Sequence, residues 1–283
     1  NADAWLNERH IGNHPYGYTS FWYDVTDSLR LGGKNILAVI VRIEGVNSRW
    51  YSGSGIYRHV WLKVVEPVHV ATWGTYITTP EINESGAKVN VKTKVVNDSR
   101  QAQSITVITR ILDGRGIETA GAESMQDVQP DTSVQFSQDA VVKSPALWSI
   151  ESPALYTAVV EIRGDGVLHD RVKIQFGIRT IAFCAEKGFM LNGKPTLLKG
   201  GCVHHDNGPL GAAAYDRAEQ RRVELLKTSG FNAIRCAHNP PSPAFLDACD
   251  RLGMLVIDEA FDMWAQQNKP QDYHLYFDQW WQK

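Results

Sequence analysis

Three groups of side chains in the last third of the chain carry the residue types of acid–base and hydroxyl-binding chemistry. His204, His205 and Asp206 are consecutive. Arg235 and His238 lie three apart in Asn232-Ala233-Ile234-Arg235-Cys236-Ala237-His238-Asn239-Pro240-Pro241, and Asp258-Glu259 precedes Asp262 and Trp264. An imidazole trades protons and hydrogen bonds near neutral pH, a carboxyl group serves as acid, base or nucleophile, and an indole offers a stacking face. Each also has an ordinary reading. A histidine at a strand end commonly satisfies a local hydrogen bond, and Asp262 and Trp264 equally suit a helix cap and a packed ring. Adjacent residues on extended backbone point to opposite faces, so His204, His205 and Asp206 do not converge on one ion and no metal is predicted. By the same alternation Asp258 and Glu259 cannot both face one substrate, and they are read as supporting residues. Arg235, among apolar strand neighbours, calls for a carboxylate partner: Asp258, Glu259 or a residue outside this chain.

The elements that would position these groups alternate β,α,β,α after Gly177. Leu197 to Gly201 reads as a strand, and Asp216 to Ser229 as a helix opened by an Asp-x-x-Glu capping box (Asp216, Glu219) and closed by Gly230. Asn232 to Ala237 is the next strand. Ser242 caps a helix with Pro243 at its first position, Gly253 stops it, and Met254 to Asp258 is a third strand. Such alternation predicts parallel strands with crossover helices, and it gathers the titratable groups at one sheet edge. That edge is where a (β/α) barrel keeps its active site, but residues 178–283 are too few for a complete barrel of about 250 residues. Tyr273, Tyr276, Phe277, Trp280 and Trp281 recur at helical spacing, as a packing face.

Upstream the pattern is all β. Trp5 to Gly12 reads as a hairpin, and Phe21 to Val25 and Ile36 to Val41 as strands with Gly32-Gly33 turning the chain between them. From Val68 to Gly177 the alternation is regular, as in Val89, Val91 and Val95 or Tyr156, Ala158, Val160 and Ile162, and it predicts an immunoglobulin-like β-sandwich. The expected division is therefore 1–67, 68–177 and 178–283. Asn47-Ser48-Arg49-Trp50 either connects strands or reaches toward the site, and Ser52-Gly53-Ser54-Gly55 is a turn without the features of a phosphate loop.

Composition sets limits. At ~150 residues per domain, 283 residues suggest two or three domains. Twenty-nine basic against 31 acidic residues give a net charge of −2, which disfavours a nucleic-acid partner, and no apolar run approaches the ~18–20 residues of a membrane span. Four cysteines without paired spacing read as buried thiols. No cofactor is predicted, and the cellular compartment is not legible.

The run from Asn232 through Pro240, continued by Asp250-Arg251-Leu252-Gly253 and Met254 to Asp258, resembles the signature N-x-φ-R-x-x-H-Y-P then D-x-x-G-φ-φ-φ-φ of glycoside hydrolase family 2, where φ is apolar. Three other stretches agree. Trp5-Leu6-Asn7 with Gly17-Tyr18-Thr19, and Arg49 to Arg58, resemble the family's sugar-binding jelly roll. Gly188 to Pro195 with Leu198 to Gly201 and His204 resembles its entry into the barrel. Asn239 departs from the pattern, standing where the signature has Tyr.

The resemblance implies part of a jelly roll, an immunoglobulin-like β-sandwich and the N-terminal part of a (β/α)8 TIM barrel. It implies a retaining hydrolase of terminal β-galactosides, with β-mannosides or β-glucuronides as alternatives and a non-catalytic carbohydrate-binding or assembly module as a rival of another class. His204, His238, Asp262 and Trp264 would touch the sugar and Arg235 would support the nucleophile. The family's acid/base Glu follows an Asn after the fourth barrel strand and its nucleophile is a later Glu. Neither is expected before Lys283, so the chain is predicted to be inactive by itself. An unpaired barrel edge further predicts self-association.

Overall fold

The computed structural model describes residues 1–50 and 53–282. The first sheet has the order β2-β1-β3, from β1 (Ala2–Leu6), β2 (Arg9–His14) and β3 (Leu37–Val41), all antiparallel. Phe21 to Val25, expected as a strand, forms none. Its rings lie over β2 instead: Phe21 stacks on His14 at 4.5 Å, and Tyr23 lies where a Cβ on Gly12 would stand, 2.2 Å from its Cε1. Of the Ser52 to Gly55 turn, Ser52 lies outside the described residues, and Gly53 to Gly55 has no regular structure.

The sandwich pairs a sheet β4-β5-β8 with a sheet β10-β9-β6-β7. Its strands are β4 (Val68–Asn83), β5 (Gly86–Asn97), β6 (Gln103–Leu112), β7 (Glu118–Val128), β8 (Thr132–Val142), β9 (Tyr156–Gly164) and β10 (Val167–Phe176). The alternation read from sequence is the packing observed. Val89, Val91 and Val95 of one sheet meet Ala158, Val160 and Ile162 of the other in one core with Phe136 and Ile178.

A small antiparallel sheet of β11 (Ile181–Cys184), β12 (Gly188–Leu191) and β13 (Lys194–Pro195) leads to the region bearing the candidate site. There β14 (Gly200–Val203), β15 (Ala233–Cys236) and β16 (Leu255–Asp258) run parallel in that order. They are joined by α1 (Asp216–Thr228) and α2 (Pro243–Leu252), and Val223, Phe245, Ala248 and Cys249 of the helices pack on Ile234 and Cys236. β14 starts later than the Leu197 expected from sequence. There the Asn232 side chain takes over much of the pairing, accepting from Lys199 N (2.7 Å) and donating to Leu197 O (2.9 Å), while its backbone N donates to Lys199 O (2.9 Å). Pairing begins at Gly200, where a Cβ would stand 2.1 Å from Ala233 O.

The two helices start differently. Ser242 caps α2 as expected, its Oγ accepting from Phe245 N at 3.2 Å, and Gly253 closes it at φ +72°. The capping box expected on α1 is absent. Tyr215 is its N-cap, Asp216 pairs with His59 (2.8 Å), and Glu219 is buried, accepting from Asn207 Nδ2 at 3.1 Å. Tyr273 to Trp281 is not one helix either: a short turn (Tyr273–Leu275) precedes α3 (Phe277–Trp280). Asp272 fixes that turn, accepting from Asn268 N (2.9 Å) and His274 N (3.0 Å). The aromatics still pack, Tyr273 stacked on Phe261 at 4.9 Å and Phe277 on Trp281 at 6.1 Å. Of the cysteines only Cys236 and Cys249 are buried, while Cys202 is exposed, correcting the expectation for all four.

Partly buried polar contacts join these parts. Trp148 donates through Nε1 to Asp250 O (2.7 Å), and Lys227 donates to both Ile150 O (2.9 Å) and Gly253 O (2.8 Å). Arg58 reaches from the N-terminal segment to Tyr18 O (2.7 Å) and to Pro240 O (2.8 Å), in the loop after β15.

Candidate active site

Parallel register brings the three strand ends to one edge. Val203 stands beside Cys236, and Cys236 beside Asp258, so His204, His238 and Glu259 emerge as neighbours. The rings of His204 and His238 are 5.4 Å apart, edge to face. Arg222 of α1 donates to His204 O at 3.1 Å and to Asn207 Oδ1 at 2.9 Å, so the helix after β14 fixes the loop that carries His204.

Glu259 lies between Arg235 and His238. Its Oε1 accepts from Arg235 Nε and its Oε2 lies 2.9 Å from His238 Nδ1. Burial pushes the Glu259 carboxyl up, but hydrogen bonds from Arg235 and His238, with the charge of Arg235, outweigh it and leave the group below the usual glutamate range. An ionised, doubly bonded carboxylate is a poor proton donor, which suits Glu259 to support rather than to general-acid work. Arg235 is not the buried side chain its apolar neighbours suggested. It is 42% exposed, pairs with Glu259 within the chain and approaches Cys202 Sγ at 3.4 Å. Asp258 alternates with Glu259 along the strand and makes neither of these contacts.

The third wall comes from a distant part of the sequence. The Trp50 ring lies 5.5 Å from His204 and 5.6 Å from His238, and its Nε1 donates to Tyr18 Oη at 3.2 Å. Beside it, Arg49 forms an ion pair with Asp262. Val46 N donates to Gln271 Oε1 (2.8 Å), fastening the same loop to the region after β16. Of the residues singled out from sequence, His204 and His238 therefore meet, Arg235 comes within 3.5 Å of His238, and Asp262 is engaged by Arg49. Trp264 stands apart, 62% exposed with its ring 6.0 Å from Phe277. Trp50 was legible only as part of a loop, since nothing local in Asn47 to Trp50 states which ring it meets.

His205 faces away from His204, as alternation requires. It packs against Tyr57 (4.7 Å), donates through Nε2 to Ala212 O (3.2 Å), and burial pushes its imidazole below the usual histidine range. Among the described residues no group of three His, Cys, Asp or Glu side chains is placed to hold a metal ion.

A sheet edge with two imidazoles, an indole and an ionised carboxylate can bind hydroxyl groups and carry a flat apolar face of a ring. The chain belongs to glycosyl hydrolases family 2: the family's model matches residues 68–179, and the model of its TIM barrel domain matches residues 184–274. It is 46% identical over 281 residues to the β-galactosidase BoGH2A of Bacteroides ovatus, covering 99% of this chain and 33% of that protein. A family 2 member from Bacteroides cellulosilyticus superposes with a TM-score of 0.95 at 50% identity, over 99% of this chain and 36% of that one. A β-glucuronidase of Bacteroides uniformis does so with a TM-score of 0.86 at 31% identity, over 95% and 34%. The chain thus spans about a third of the length of these relatives. Its architecture is part of a jelly roll, an immunoglobulin-like β-sandwich and the N-terminal part of a TIM barrel.

Proposed function

We propose that the chain forms the substrate-binding floor of a retaining β-glycosidase acting on terminal β-galactosides. The observation that carries this is the meeting of His204, His238 and Trp50 at the C-terminal edge of the parallel strands. His204 and His238 bind sugar hydroxyls, Trp50 and Trp264 offer ring faces, and Asp262, paired with Arg49 of the N-terminal region, contributes from the loop after β16. Arg235, 42% exposed, supports a nucleophilic carboxylate supplied elsewhere in the barrel. Retaining hydrolysis needs two carboxyl groups about 5–5.5 Å apart, one protonating the leaving oxygen and one attacking the anomeric carbon. Glu259 serves as neither, because both its oxygens are held by Arg235 and His238.

The β-galactosidase name of the relative at 46% identity favours galactosides, and the β-glucuronidase at 31% identity keeps β-glucuronides as the second reading. The division at residues 67 and 177 is supported by each sheet drawing its strands from one segment. Self-association is supported by the outer edges of β14 and β16, which pair with no other strand among the described residues, and by exposed Leu197 (75%) and Ile257 (50%). A single monomeric species in light scattering would remove that part of the reading.

Chromogenic β-galactosides, β-mannosides and β-glucuronides, offered to this chain and to a longer product of its gene, test the function. Turnover by the longer protein alone, with β-galactoside preferred, is the expected outcome. Turnover by these 283 residues alone would place the chemistry in residues assigned here to binding.

A further inference from the structure

The Glu259 carboxylate divides its oxygens between two donors. Arg235 is a donor at every nitrogen and takes Oε1, and the imidazole takes Oε2 at 2.9 Å. An ionised carboxylate only accepts, so the imidazole nitrogen facing it must carry hydrogen. Arg235 Nη2 also stands 3.5 Å from His238 Nδ1, and a guanidinium gives that nitrogen nothing to donate to, so Oε2 is its acceptor. Among the described residues no hydrogen bond reaches His238 Nε2.

We propose that Glu259, anchored by Arg235, is a positioning residue that holds neutral His238 as the Nδ1–H tautomer. His238 then presents Nε2 as a bare acceptor. This rests on the proposed sugar-binding role of His238 and narrows it: the hydroxyl that meets Nε2 donates its hydrogen. Such a site rejects a substituent that can only accept, fluorine for instance, where a donating imidazole would tolerate it. A polar pocket built for one sense of hydrogen bond discriminates because the wrong partner leaves a desolvated group unpaired.

The substitution Glu259→Gln makes the idea sharp, because glutamine keeps the shape but has one acceptor oxygen and one donor nitrogen. Arg235 can face only the oxygen. The amide NH2 is then left toward His238 Nδ1, which must turn acceptor, and the ring proton moves to Nε2. The tautomer should therefore invert rather than blur.

Long-range proton–nitrogen NMR of this 283-residue chain at about pH 8.5, above the ordinary histidine pKa of ~6.5, reads the tautomer directly. The expected result is hydrogen on Nδ1 and a bare Nε2 in the wild type, and the reverse in Glu259→Gln. Hydrogen on Nε2 in the wild type overturns the proposal without any variant having to fold. An unchanged Nδ1–H tautomer in a folded Glu259→Gln protein overturns it equally. Either result is independent of glycoside turnover, so failure of the tautomer and failure of the proposed hydrolase function are separate outcomes.

Discussion

The sandwich and the segment that leads into it share one sequence pattern and have different fates. Along β5 and β9, Val89, Val91, Val95, Ala158, Val160 and Ile162 are at most 1% exposed. Just before β4 the alternation of Val60, Leu62 and Val64 is as regular, yet these residues are 61%, 71% and 86% exposed and belong to no strand. Alternation defines a face, but it becomes a strand only where another strand takes the hydrogen bonds and another layer takes the side chains. Leaving one such side chain in water forgoes about 1.5–3 kcal/mol.

The largest test of that contrast pairs one aromatic from each region. Phe136, fully buried in the sandwich, should lose about 3–5 kcal/mol of stability on change to Ala. Trp61, 81% exposed, should stay within about 0.5 kcal/mol. Urea denaturation of the two variants measures both. Comparable losses would mean that the segment around Trp61 is covered in solution, and the contrast would fall.

A smaller effect distinguishes the sandwich by its charge. Glu161 of β9 is almost wholly buried and is gripped by Arg163 (2.9 Å), Arg171 (2.8 Å) and Arg110 (3.3 Å). The hydrogen bond from Arg163 leads the causes that hold its carboxyl below the usual glutamate range, outweighing burial. The folded pKa is thus below the unfolded value, so the unfolded chain binds the extra proton. Its stabilisation is complete above the ordinary value of ~4.3 and disappears as pH falls through the lower folded value. Glu161→Gln should flatten the fall of stability with pH in that acid window. An unchanged slope would show that the three arginines do not depend on the charge.

How far this molecule was legible follows the same line. Where the partner is sequence-local or the pattern self-completing, the reading held: the hairpin of β1 and β2, the sandwich faces, the Ser242 cap and the strand ends bearing His204 and His238. It failed where a side chain had a remote alternative. Tyr23 covers Gly12 instead of joining a ladder, Asn232 replaces the first rungs of β14, and Asp216 pairs with His59 instead of capping α1. Trp50 is the extreme case, because its place against His204 and His238 depends on a loop more than 150 residues upstream of them.

That loop supplies the smallest and most local test. Arg49 and Asp262 join the N-terminal region to the loop after β16, with side chains 47% and 16% exposed. An ion pair so open to solvent gains little over its hydrated, mobile alternatives, and exposed pairs contribute about 0.2–1 kcal/mol. A double-mutant cycle with Arg49→Ala and Asp262→Ala should therefore give a coupling no larger than about 1 kcal/mol, shrinking further at about 1 M salt, where the screening length is ~3 Å. The rest of the fastening, from Val46 to Gln271 and from Arg58 to Pro240, stays intact in both variants. A coupling of several kcal/mol that ignores salt would mean that the pair is sealed from water. The wall carrying Trp50 would then be as closed as the sandwich core, and the line between the two regions would have to be redrawn on the far side of the site.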